Sequence, residues 1–110
     1  MTIYNKLVRD KIPEIIRENG QNCRTRLLGE EEYKLELRRK LVEELNEYME
    51  ARDDVQAVEE LADLLELLHA LTDLHGSSPE ELESVRERKA DKRGGFRDRI
   101  YLLETEDAGK

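Results

Sequence analysis

Aromatic and sulfur side chains are scarce in this chain, which has no tryptophan, one phenylalanine, four tyrosines and one cysteine among 110 residues. A lone Cys23 excludes an intrachain disulfide, and no second cysteine or nearby histidine stands at zinc-ligand spacing. It reads as an ordinary thiol. There is no internal repeat, linker or low-complexity block. No apolar run approaches the length that spans a bilayer, and the opening MTIYNKLVRDK lacks the apolar core of a signal peptide. The expectation is a cytoplasmic protein without a membrane partner. Positive charge is also in short supply, because 19 Lys and Arg face 27 Asp and Glu for a net charge of -8. That balance argues against a broad grip on a nucleic acid polymer, and an anionic ligand would need a bridging cation.

What is present in quantity is Leu, Glu, Arg and Lys, the composition of long helices with solvated outer faces. Although 42% of the residues are charged, the apolar ones recur in blocks at helical spacing, so the chain is expected to fold. Residues 1–110 fit one domain, small enough to bury only a modest fraction of its surface without a partner.

Asp10 as N-cap, Pro13 in the first turn and Gly20 as stop predict a short helix over Lys11 to Asn19. The alternation in NCRTRLLG, between Gly20 and Gly29, reads as a short strand. A long helix is expected from Glu30 to about Arg52, opened by three acids, and a second from the Asp53 and Asp54 caps to Gly76. The second is apolar around most of its circumference, so an extra face is left for another subunit. A charged helix follows from Pro79 to about Lys92, ended by Gly94 and Gly95. The tail FRDRIYLLE has strand-forming residues and the other strand candidate as its expected partner. The fold class is therefore mainly α, an antiparallel helical bundle completed by oligomerisation, with a short two-stranded β element.

The segments KLVEELNEY and VEELADLLE each carry acids three apart, Glu44 with Glu47 and Glu60 with Asp63, on one face of a helix. Taken singly, each pair also fits a solvated helix face. Glu60 and Asp63 are the more telling, since they stand among Leu61, Ala62, Leu64 and Leu65, where crowded carboxylates lose hydration and cost several kcal/mol per ion unless compensated. The tight connection at Arg52, Asp53 and Asp54 sets the two helices antiparallel, with the pairs at similar distances from the turn. Four hard oxygen donors without Cys or His describe a site for magnesium or manganese. His69 and His75, six apart, do not share a helix face as a metal pair would and are read as structural.

EELNE at Glu43 to Glu47, a 12-residue gap, and then Glu60, Leu61, Ala62 and Asp63 resemble the EExxE and ExxD motifs of MazG-like all-α NTP pyrophosphohydrolases. NKLVRDKIPEII near the start and KRGGF near the end look like the flanks of a small subgroup usually described as house-cleaning pyrophosphohydrolases, sometimes labelled phosphoribosyl-ATP pyrophosphohydrolase-like. The resemblance implies a homodimer or homotetramer that converts an NTP or dNTP to NMP and pyrophosphate, with magnesium on Glu44, Glu47, Glu60 and Asp63. It makes Glu43 and Glu59, turned about 100° from the ligands, alternatives for orienting or deprotonating the attacking water. Charge for the rest of the triphosphate would come from Lys6, Arg9 and Lys11, or from Lys89, Lys92 and Arg93 before Gly94 and Gly95, whose lack of side chains permits close backbone approach. Two other readings stand beside it: a phosphoribosyl-ATP pyrophosphohydrolase of histidine synthesis, and a non-catalytic helical module that binds a partner through its apolar faces. Without tryptophan and with one phenylalanine, base selectivity stays open.

Overall fold

Short polar side chains start two of the helices. Asp53 accepts a hydrogen bond from the Gln56 backbone N–H at 2.8 Å, and Ser78 accepts one from Glu81 at 3.1 Å, each satisfying a donor that the first helical turn leaves unpaired. In the computed structural model, which describes residues 2–107, four helices follow one another: α1 (Ile12–Glu18), α2 (Glu30–Met49), α3 (Asp54–Leu74) and α4 (Pro79–Arg93). Their order and approximate extents are those expected from the sequence. The ends differ in two places. Lys11, not Asp10, stands at the N-cap of α1 and makes no side-chain cap, and α2 stops at Met49, short of Arg52.

The chief packing is α2 against α3, joined by the short connection through Arg52 and Asp53. Among the described residues, Leu37 of α2 and Leu67 of α3 are the buried apolar ones, 2% and 8% exposed. The face of α2 through Tyr33, Leu37, Leu41 and Glu44 and the face of α3 through Glu60, Leu64, Leu67 and Leu71 are buried or half-buried throughout, as helical spacing requires of two packed stripes. α4 touches α3 sparsely and buries no residue.

The expected pairing of two strands is not formed, and among the described residues there is no strand. The segment after α1 is held by its neighbours instead: Cys23 reaches the Pro13 carbonyl at 3.9 Å, and Arg26 grips both carboxylate oxygens of Glu32 in the first turn of α2 at 3.0 and 2.6 Å. Among the described residues the tail, 96–107, is irregular, with Phe96 97% exposed, and an Arg99 N–H to Phe96 carbonyl bond at 3.1 Å turns it back on itself. Two short extended pieces make few hydrogen bonds and have marginal stability without an apolar surface beneath them, so alternation in the sequence is insufficient to pair them.

One chain leaves much apolar surface uncovered. Val42, Leu45 and Met49 form an exposed stripe on α2, and Val58, Leu61, Leu65 and Leu68 form one on α3. The radius of gyration is 19.5 Å, with extents of 71 × 35 × 22 Å, against about 13 Å for a compact chain of this length. Among the described residues no helix is long and apolar enough to cross a membrane.

Candidate metal centre

Toward the connection, the packed stripes of α2 and α3 change from leucine to acid. Glu44 lies two turns beyond Leu37, and Glu60 lies two turns before Leu67. Antiparallel packing of the two stripes brings both glutamates to the connection end of the hairpin. Glu47, a turn beyond Glu44, completes a cluster in which one carboxylate oxygen from each of Glu44, Glu47 and Glu60 lies within 4.8 Å of the others.

Burial strips water from the Glu44 carboxylate and, with repulsion from Glu47, Asp63 and Glu60 and a hydrogen bond with Glu47, pushes its pKa up to about 7. Glu60 is shifted in the same direction, first by burial and then by the charges of Glu47 and Asp63. The Oε2 atom of Glu44 is buried and has no hydrogen-bond partner among the described residues. An orphaned acceptor among like charges is costly, and a divalent cation would offset that cost by ligation and by charge. Oxygen-only donors from two helices are of the kind that could hold a divalent cation.

Asp63 is close enough to raise both glutamates but stands outside the three-residue cluster. It is held by Arg9, whose Nη2 donates to Oδ1 at 2.6 Å across 54 residues of sequence. The turn entering α1 places that arginine: the Arg9 carbonyl accepts the Ile12 N–H at 3.1 Å, while Leu7, Val8 and Ile12 are half-buried around it. Of the cations singled out in the sequence, Arg9 is thus brought to the acids. Lys6, Lys11, Lys89, Lys92 and Arg93 form no ion pair with the cluster among the described residues. Glu43 and Glu59 are exposed on their helices, each beside a cluster member in sequence. Gly94 has φ +82°, a conformation that favours glycine, and its N–H closes α4 on the Ala90 carbonyl; Gly95 borders open space.

Two residues that the sequence reading passed over lie beside the acids. An open depression of about 570 Å³ at this end of the hairpin is lined by Glu47, Glu50, Arg52, Gln56 and Glu60. Gln56 also accepts the Arg52 backbone N–H at 3.1 Å and so braces the connection. The available signal was position: an arginine in the connection between two acid-bearing helices has the reach to lie over the cluster, whereas periodicity assigns connection residues no face.

No family model matches the chain, and comparison with curated proteins and with solved structures likewise returned no match.

Proposed function

We propose that the chain is a magnesium-dependent nucleoside triphosphate pyrophosphohydrolase of the MazG-like all-α type, acting on noncanonical NTPs or dNTPs to yield NMP and pyrophosphate. The observation that carries this reading is the approach of Glu44, Glu47 and Glu60 from two antiparallel helices to within 4.8 Å, with Glu44 Oε2 left unpartnered. Glu44, Glu47 and Glu60 would hold the ion, with Asp63 one turn further along α3. When bound, magnesium supplies charge neutralisation for the triphosphate and acidifies a water. The chain's own residues do the rest. The depression beside Glu47 and Glu60 receives the nucleotide, Arg52 offers a guanidinium to its phosphate oxygens, and Glu43 or Glu59 orients the water from outside the cluster. The exposed stripes on α2 and α3 and the elongated shape support a bundle completed by further copies, a homodimer or homotetramer.

The same exposed stripes favour a second reading, a non-catalytic helical module that binds a partner through them. One experiment separates the two. Pyrophosphate release is measured on a panel of NTPs and dNTPs, and on phosphoribosyl-ATP, with magnesium, with EDTA, and with Glu60→Ala. The enzyme reading expects magnesium-dependent release, reduced in the variant by more than the roughly 10–100-fold loss typical when an outer partner of a metal ligand is removed. Intact substrates throughout, at high protein concentration, would sink it in favour of the binding module. Release from phosphoribosyl-ATP alone would reassign the substrate.

A further inference from the structure

We propose that Arg9 is a built-in counter-ion of the acidic site, holding Asp63 while no divalent cation is bound and giving it up when one arrives, so that metal loading frees the segment before α1. The inference rests on the metal reading above and adds regulation of that same site. Among the described residues, the other ion pairs are local: Arg26 with Glu32, Arg39 with Glu36, and Arg86 with Glu83 span 3 to 6 residues. Arg9 and Asp63 instead bridge 54 residues and tie the N-terminal segment to α3.

The contact is built to be exchanged. A single Nη2 to Oδ1 bond of 2.6 Å joins side chains that are 56% and 38% exposed, so water and a competing cation reach both groups and the tie is readily exchanged. It is also an incomplete substitute for a metal ion. The guanidinium covers Asp63 while Glu44 Oε2, on the facing helix, keeps no partner among the described residues. A divalent cation drawn to Glu44, Glu47 and Glu60 carries twice the charge of Arg9 and competes with it for the carboxylate a turn away. By mass action, the metal sees an affinity reduced by the fraction of molecules in which Asp63 is engaged, as well as by the charge of the guanidinium beside the site. Once released, the Arg9 guanidinium is a free fork of donors suited to phosphate oxygens.

The test is calorimetric titration of manganese into the full chain and into Arg9→Gln at low salt, with circular dichroism as the check that both are folded. A second readout is trypsin cleavage after Arg9, scored against cleavage after Arg24, with and without manganese. The proposal expects Arg9→Gln to bind manganese about two- to fivefold more tightly, the range open to an exposed pair, and expects manganese to speed cleavage after Arg9 in the native chain. Equal or weaker binding by Arg9→Gln overturns it, a weaker value marking Arg9 as a residue that positions Asp63 for the metal; unchanged cleavage after Arg9 also overturns it. Failure of both proteins to bind manganese removes the metal reading and this inference together, whereas equal binding removes this inference alone.

Discussion

Helices α3 and α4 begin alike and end up in different circumstances. Each is started by a short acceptor side chain, Asp53 or Ser78, and each is closed by backbone bonds around a positive-φ glycine, Gly76 or Gly94. Yet α3 lays a leucine stripe against α2, while α4 is mostly charged and buries nothing. Local capping is therefore enough to define a helix in sequence, but only an apolar stripe gives it a place in three dimensions. The candidate site follows the same division, because its carboxylates sit on the helices that are placed.

The largest effect that would sharpen this contrast comes from the buried leucine. Leu37→Ala, which empties the one position exposed by only 2%, is expected to cost about 2–5 kcal/mol in urea unfolding, as large-to-small core changes do. Val85→Ala on α4, at a residue 40% exposed, should stay within about 0.5 kcal/mol. Equal losses would mean that α4 is packed as firmly as α3 and would break the comparison.

The caps come next. Asp53→Ala is expected to lower global stability by about 1 kcal/mol, since the helix it starts carries the hairpin. Ser78→Ala removes an equivalent bond, but its effect should be confined to faster amide exchange in the first turn of α4 with an unchanged melting temperature.

The smallest effect is a dependence on pH. Because the folded pKa of Glu44 is raised to about 7, the folded state holds a proton that the unfolded chain has released between the ordinary carboxylate range and that value. Stability without metal is then fully present below the unfolded pKa and falls as pH rises through about 7, with Glu60 contributing in the same direction. Solvent access to the site keeps the change modest. In EDTA, thermal melts of Glu44→Gln should show a smaller slope, with the Glu60 part remaining, and magnesium should offset the slope in the native chain by favouring the deprotonated carboxylates. A slope unchanged in Glu44→Gln would assign it to other groups.

Sequence by itself determined the helices and their order. Caps at Asp53 and Ser78, acids at the start of α2 and glycines at the stops act within a turn of backbone, so their effect is legible without knowing what packs on what. It also set Glu44, Glu47, Glu60 and Asp63 within reach of one another, since a short connection and equal offsets from it leave antiparallel helices few alternatives, and the first three of these form the cluster. Tertiary structure alone decided three further matters. The alternating segments around Arg24 and Tyr101 do not pair, because a strand needs a partner and a surface that periodicity does not supply. Arg9, and not Lys6 or Lys11, meets Asp63, because the turn before α1 sets which of several neighbouring cations faces α3. Arg52 and Gln56 line the depression beside the acids, because a connection has no repeating face from which its side-chain directions could be read. Those outcomes depend on residues far apart in the chain, and contacts of that range are set by packing rather than by local propensity.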